Sequence, residues 1–115
     1  MTFDRDRFSH NFRGMEDLAI ESIFSFLNIL PGMLKAIEDA AGARHASNLE
    51  LAAHSLKGTV STFHAETVEI LAWKLEQMGH SQVITDTESV IKELKSELEK
   101  LKAELNAWVT DARAA

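Results

Sequence analysis

Residues 49–63 read LELAAHSLKGTVSTF, and their apolar members recur at intervals of three and four. This spacing places the apolar side chains on one face of an α-helix, which we expect to cover residues 46–63. At about 100° per residue, His54 falls on the opposite face, with Lys57 roughly 60° to one side and Gly58 roughly 40° to the other. The stretch therefore predicts a core helix that presents a histidine, a lysine and a glycine to solvent.

The chain on the N-terminal side of this stretch also has the periodicity of helices. Phe8 and Phe12 lie one turn apart and predict a short leading helix that ends near Gly14 and covers one end of the core. A long helix is predicted over residues 16–41, and Pro31 within it predicts a kink rather than a break, because the apolar period continues through it. The residues predicted to face inward are Ile20, Ile23, Phe24, Leu27, Leu30, Leu34 and Ile37, with Phe26, Ile29 and Met33 widening the stripe.

Two further helices follow the histidine stretch. One is predicted over residues 65–78 and ends at Gly79, and the other, capped by Thr85 or Asp86, runs for about 25 residues. The last helix carries Ile91, Leu94, Leu98, Leu101, Leu105 and Trp108 at strict three and four spacing. Four amphipathic helices with short links predict an all-α fold, an up-down-up-down antiparallel four-helix bundle with a short N-terminal capping helix, as a single domain over residues 1–115.

Composition narrows the function classes. The chain has 18 acidic and 12 basic residues and a formal charge of -6, which disfavours a nucleic-acid partner. It has no cysteine, so thiolate catalysis and cysteine metal sites are excluded. Residues 1–7 are too charged for a secretory signal, and the apolar run at 23–34 is too short to span a bilayer. We therefore expect a cytoplasmic protein without membrane attachment, metal or cofactor.

The exposed face around His54 suits the chemistry of a phosphoryl carrier. Histidine is largely neutral near neutral pH and can attack an activated phosphoryl group, whose negative charge Lys57 would offset. A glycine such as Gly58 costs about 1 kcal/mol relative to alanine inside an exposed helix, which indicates that a partner needs the space. A single surface histidine is usually only solvated, so the prediction depends on the three residues together.

Two motifs in the chain resemble the histidine-containing phosphotransfer (HPt) domains of two-component phosphorelays. They are AHSLKG at residues 53–58 and LEQMG at residues 75–79. NFRG at 11–14 and FLNILP at 26–31 are also similar to that family, so the resemblance extends over most of the chain. It implies a phosphorelay intermediate whose partners are receiver domains of response regulators or of hybrid sensor histidine kinases.

The resemblance also implies a role for each site residue. His54 would accept a phosphoryl group from a receiver-domain aspartyl phosphate and pass it to another receiver, while Lys57 stabilises the phosphate and Gly58 admits the partner. Glu76 stands where some members have a glutamine that holds the histidine ring, and a carboxylate there would also repel an incoming phosphoryl group. His64 occupies a position where many relatives have glycine.

The length of the chain leaves no space for an ATP-binding domain, so we expect a monomeric phosphohistidine carrier rather than an enzyme with kinase activity. The alternative is a non-catalytic interaction module that pairs with another chain through the heptad pattern at 88–108. The five histidines form no HxxxH or HExxH motif, which disfavours a metal site. Ile70 and Trp73 are predicted to lie away from the core, where they form a docking patch or are covered by the leading helix or by a neighbouring molecule in a crystal lattice.

Overall fold

The computed structural model describes residues 2–114, which contain five α-helices and no strand. The helices are α1 (Arg5–Asn11), α2 (Glu16–Gly42), α3 (Ala46–Ser61), α4 (Glu66–Ser81) and α5 (Thr87–Ala114). Helix α2 contacts α3, α3 contacts α4, α4 contacts α5, and α5 returns to α2. The four long helices therefore form an antiparallel bundle, about 48 Å long and 20 Å across. This confirms the fold class predicted from the sequence.

The heptad pattern of the last helix is used inside the chain. Five of its six predicted inward residues are buried, namely Leu94, Leu98, Leu101, Leu105 and Trp108, and Ile91 is half-buried at the edge of the core. Burial of an apolar stripe against neighbouring helices is the main source of stability in a bundle of this kind. The stripe at 88–108 is thus already packed against α2 and α4.

Helix α1 covers one end of the bundle with an aromatic cluster. The ring of Phe8 lies between 4.8 and 5.6 Å, centroid to centroid, from the rings of Phe3, Phe12, Phe63 and Trp108. The pairs with Phe3 and Trp108 are edge-to-face, an arrangement that aromatic quadrupoles favour. The short leading helix is therefore the predicted capping helix.

Three polar contacts join the N-terminal segment to α5, about 100 residues later in the chain. The Thr2 hydroxyl donates to the Glu97 carboxylate at 2.9 Å, and the Trp108 indole N–H donates to Ser9 Oγ at 2.9 Å. An ion pair joins Arg5 to Asp111. These contacts hold the capping helix in one place over the aromatic cluster.

Two residues of helix α2 that were predicted to face inward, Phe24 and Ile29, are exposed in the structure. The helix runs without a break through Pro31, as the continuing apolar period indicated. Phe24, predicted to face inward, is 43% exposed, and the Arg113 guanidinium lies 5.3 Å from its ring centroid. Phe26 is buried instead, with its ring 5.0 Å from that of Phe63 on the α3 side. On a helix that contacts both α3 and α5, the sequence alone did not decide which aromatic residue reaches the centre.

By length and composition alone, α2 would suffice to cross a membrane, because the helix is longer than the apolar run at residues 23–34. The expectation from the sequence considered only the apolar run at residues 23–34, which is shorter than the helix that contains it. Core helices of bundles satisfy the same test, and Ile23, Leu30 and Ile37 of α2 are buried against the other helices.

Helix α3 begins at Ala46, as predicted, but ends at Ser61 rather than at residue 63. His45 is the N-cap of α3, where its Nδ1 accepts a hydrogen bond from the Asn48 backbone N–H at 3.2 Å. The prediction that Gly79 ends α4 is wrong. The helix continues to Ser81, and Gln82 ends it in the left-handed conformation, with a φ of 61°.

Candidate functional site

His54 lies in the middle of α3 on the face opposite the core. The neighbouring residues Ala53 and Leu56 are fully buried, so the helix cannot rotate without exposing them. The His54 side chain is 66% exposed. The outward position that the helical spacing predicted is thus confirmed.

Gly58 leaves an open space one turn after His54. A Cβ at this position would have no atom within 4 Å, and the residue is exposed. The nearby Ser61 hydroxyl donates to the Gly58 carbonyl oxygen at 2.7 Å, so it is engaged with its own helix. The surface beside the imidazole is consequently backbone rather than side chain.

Glu76 of α4 binds both polar residues of the exposed face. Its Oε2 lies 2.8 Å from His54 Nδ1, and its Oε1 lies 2.6 Å from Lys57 Nζ. The Glu76 side chain is only 14% exposed. The two ends of one carboxylate therefore connect α4 to the histidine and the lysine of α3.

The protonation of this cluster follows from its geometry. The hydrogen bond from Lys57, with a smaller contribution from His54, lowers the pKa of Glu76 below its ordinary value of 4.5 and outweighs the opposing effect of burial. An ionised carboxylate can only accept hydrogen bonds, so His54 Nδ1 must carry the proton. In the neutral imidazole, Nε2 then keeps its lone pair and is the ring nitrogen available for a reaction.

Gly79 brings α4 close to α3 one turn after Glu76. A Cβ at position 79 would lie 2.6 Å from the Ala46 carbonyl oxygen and 2.6 Å from the Glu50 amide nitrogen. Gly79 is buried, and the two helices pack backbone to backbone at this point. This close approach keeps the Glu76 carboxylate within reach of α3, and the sequence prediction missed it because a glycine is also a common signal for a helix end.

The pairing of Lys57 with Glu76 was also missed. The sequence prediction gave the lysine to an incoming phosphate and the carboxylate to the histidine ring, whereas the structure has Glu76 in contact with both residues. The two residues are 19 positions apart on different helices. The one available signal was that Lys57 and Glu76 were both predicted to lie near His54, which places them near each other.

His64 follows α3 in the left-handed conformation, with a φ of 53°. This conformation favours glycine but admits other residues at some cost. The Asn11 side-chain nitrogen lies 2.8 Å from His64 Nε2. The histidine thereby helps to fasten α1 to the turn between α3 and α4.

A comparison with known families decides the classification. The sequence matches the Hpt domain family over residues 22–104. The chain belongs to this family. The resemblance predicted from the motifs is therefore confirmed.

A comparison with solved structures supports the same fold. The crystal structure of histidine-containing phosphotransfer protein B (HptB) from Pseudomonas aeruginosa PAO1 matches with a TM-score of 0.87 and 18% sequence identity, over 99% of this chain and 96% of that one. At this identity the similarity concerns the fold. A search of curated protein sequences found no significant match.

Membership in the Hpt family places the chain among the phosphotransfer intermediates of two-component signalling. Proteins of this family are phosphocarriers rather than enzymes, and they interact with receiver domains of response regulators and hybrid kinases. Within residues 2–114 of this Hpt domain, no cluster of three histidine or acidic side chains is arranged to hold a metal ion.

Proposed function

We propose that His54 accepts a phosphoryl group from the aspartyl phosphate of one receiver domain and passes it to another receiver domain. The observation that carries this proposal is the hydrogen bond between Glu76 and Nδ1 of the exposed His54 side chain, because in the neutral ring it holds the proton on Nδ1 and leaves Nε2 nucleophilic. In this scheme Glu76 orients the ring, Lys57 stabilises the phosphoryl group and Gly58 admits the partner.

The transfer step balances without a cofactor from this chain. His54 Nε2 attacks phosphorus, an N–P bond forms, and the P–O bond to the receiver aspartate breaks, which returns that residue as a carboxylate. The Nδ1 proton stays between the ring and Glu76, whose negative charge offsets the positive charge that the ring acquires. Because the ring becomes cationic, the N–P bond is easily broken again, as a reversible relay requires.

Lys57 places a cation on the same carboxylate that binds His54. Its ammonium group bonds to Glu76 in the resting protein, and its side chain remains partly exposed. A phosphoryl group on Nε2 would compete with Glu76 for this ammonium group. The charge of Lys57 would then reduce the repulsion between Glu76 and the phosphoryl group.

The receiver would approach from the side of Gly58, towards α2. There an open groove of about 590 Å³ is lined by Leu18 and Ile29 from α2 and by Thr59 and Thr62 from α3. Leu18 and Ile29 are about half exposed, and Gly58 offers no side chain that would obstruct a loop of the partner. This side therefore combines access to the imidazole with an apolar contact surface.

The wider proposal keeps the remaining expectations from the sequence. Residues 1–115 would form a single domain that acts as a cytoplasmic monomer, without attachment to a membrane and without kinase activity of its own. The alternative, a module that pairs through 88–108, is disfavoured because the apolar residues of that stretch are buried in the bundle. Sedimentation at several protein concentrations tests the monomer.

The decisive experiment offers a phosphorylated receiver domain to the wild-type protein and to His54→Gln. We expect acid-labile, base-stable phosphate on the wild type and none on the variant, with equal helicity of the two proteins by circular dichroism. Lys57→Ala should slow the transfer without abolishing it. Phosphate that persists on His54→Gln would refute the assignment of the acceptor.

A further inference from the structure

A second exposed apolar surface lies on the other side of His54, towards α4. Ile70 and Trp73 are 48% and 49% exposed, so the leading helix does not cover them. With Lys57 they line a cleft of about 270 Å³, enough for one large side chain. We call Ile70, Trp73 and this cleft the α4 face.

The α4 face is distinct from the core face of the same helix. The buried residues of α4 are Val68, Leu71, Ala72, Leu75 and Gly79. Helical spacing puts Ile70 and Trp73 one turn apart on the outer side, where neither contributes to the core. An exposed tryptophan beside an exposed isoleucine lowers solubility and does not stabilise the fold. Such exposed apolar patches usually mark interaction surfaces.

The cleft of the α4 face carries two carboxylates, which also line a neighbouring groove that contains Arg5 and Arg7. Glu66 and Glu69 line the cleft, and within residues 2–114 neither forms an ion pair. Among the residues that the structure describes, Lys57 is the one cation that lines the cleft, and its ammonium group is bonded to Glu76. Two unpaired carboxylates therefore flank an apolar cleft.

We propose that the α4 face binds a basic, apolar segment of a partner protein other than the receiver that uses the Gly58 side. A leucine-type or isoleucine-type side chain of that segment would fill the cleft, and adjacent arginine or lysine side chains would pair with Glu66 and Glu69. An arginine can also stack on the exposed indole of Trp73. Aromatic anchors with complementary charge at the rim are typical of such interfaces.

A second copy of this chain is the wrong occupant. In a symmetric dimer, the same surface patch meets itself, so Glu66 and Glu69 of one copy would face the same carboxylates of the other. The chain also has a formal charge of -6, which adds to the repulsion between copies. The partner is therefore a different protein with a positive surface.

The α4 face and the Gly58 side can be occupied at the same time. On α3, Lys57 and Gly58 lie on opposite sides of His54, because they follow it by three and four residues. A segment bound at the α4 face contacts the stem of Lys57 and leaves the space beside Gly58 open. The proposal therefore assigns the Gly58 side of the histidine to the receiver and the α4 side to the second protein.

The test uses the full chain and a synthetic amphipathic helix with leucines on one face bordered by arginines. The control peptide has glutamates in place of the arginines. Trp73 is half exposed and Trp108 is buried, so a change in tryptophan emission on titration reports mainly the α4 face. We expect saturable binding of the basic peptide that weakens with salt, and no binding of the acidic peptide.

Variants then locate the binding. Trp73→Phe should remove most of the emission change, and Ile70→Ser and the double variant Glu66→Gln, Glu69→Gln should each weaken peptide binding by about tenfold. Leu18→Ser, on the α2 side, is the matched control and should bind as the wild type does. Equal binding of both peptides, or equal weakening by Leu18→Ser, would overturn the proposal.

A last measurement separates this proposal from the phosphotransfer proposal. Ile70→Ser should accept phosphate from a phosphorylated receiver at the wild-type rate. A loss of transfer in Ile70→Ser alone would mean that the receiver itself occupies the α4 face, and the second-partner proposal would be wrong. A wild type that accepts no phosphate would instead refute the function of His54 and leave peptide binding as an independent result.

Discussion

Gly79 and Glu50 pack backbone to backbone, since a Cβ at position 79 would lie only 2.6 Å from the Glu50 amide nitrogen. Helices α3 and α4 therefore approach more closely here than any side chain would allow. One turn earlier in α4, Glu76 meets His54 and Lys57 of α3. The geometry of the candidate site thus depends on a glycine that has no chemical role.

Replacement of this glycine should destabilise the protein. In Gly79→Ala the new methyl group would clash with backbone atoms, which cannot rotate away, so the cost should exceed the gain in helix propensity. We expect a net loss of about 1–3 kcal/mol in the free energy of unfolding, measured by urea denaturation. Gly58→Ala is the matched control, because its methyl group meets no atom within 4 Å and should stabilise the helix by up to about 1 kcal/mol. Equal stability of the two variants would contradict the close approach.

Gly58 variants should separate stability from function. Gly58→Leu should leave helicity nearly unchanged and block phosphoryl transfer from a receiver, because the side chain would occupy the space that the partner needs. Gly58→Ala should be more stable than the wild type and transfer more slowly. Gly42→Ala, at the end of α2, also fills open space and should leave transfer unchanged. Rapid transfer by Gly58→Leu would show that the space is not used.

The stability that Glu76 provides should depend on pH in a defined direction. Its pKa in the folded protein lies below the ordinary 4.5, so the stabilisation is fully present above pH 4.5 and is lost as the pH falls through the lower folded value. The stability gap between the wild type and Glu76→Gln should therefore be largest near neutral pH and should close in acid. Urea unfolding at several pH values measures it.

Glu97→Gln provides the comparison for Glu76→Gln. Hydrogen bonds from Lys100 and Thr2 lower the pKa of Glu97 as well. The difference in stability between the wild type and Glu97→Gln should therefore also disappear as the pH falls. Glu97 does not contact His54, and its variant should transfer phosphate normally, whereas Glu76→Gln should transfer with a different rate and pH profile. Identical rates and pH profiles of phosphoryl transfer in the two variants would refute the orienting role of Glu76.

His45 should contribute to stability as a helix cap. His45→Ala removes the acceptor for the Asn48 N–H and should lower the free energy of unfolding by about 1 kcal/mol. His45→Asp supplies a better acceptor at the same position and should restore or exceed the wild-type stability. Thermal unfolding of the three proteins at neutral pH tests this, and the same loss in both variants would refute the capping role.

Periodicity was sufficient to predict the helices and the outward position of His54, because a buried stripe on one face fixes what the other face presents. It was not sufficient at Gly79, where the same residue type signals a helix end or a close packing contact, or at Phe24, where two adjacent faces of α2 are both apolar. The Lys57–Glu76 pair depends on how two helices are placed against each other. Such information is absent from the spacing within either helix.

The contacts between the N-terminal segment and α5 have a consequence for how the chain folds. Thr2, Arg5 and Ser9 bind residues that are 95 to 106 positions later in the sequence. Closing so long a loop is slow compared with pairing of neighbouring helices, and during synthesis the first helix leaves the ribosome well before its partners on α5 exist. We therefore expect the capping helix to complete its docking only after α5 has been made.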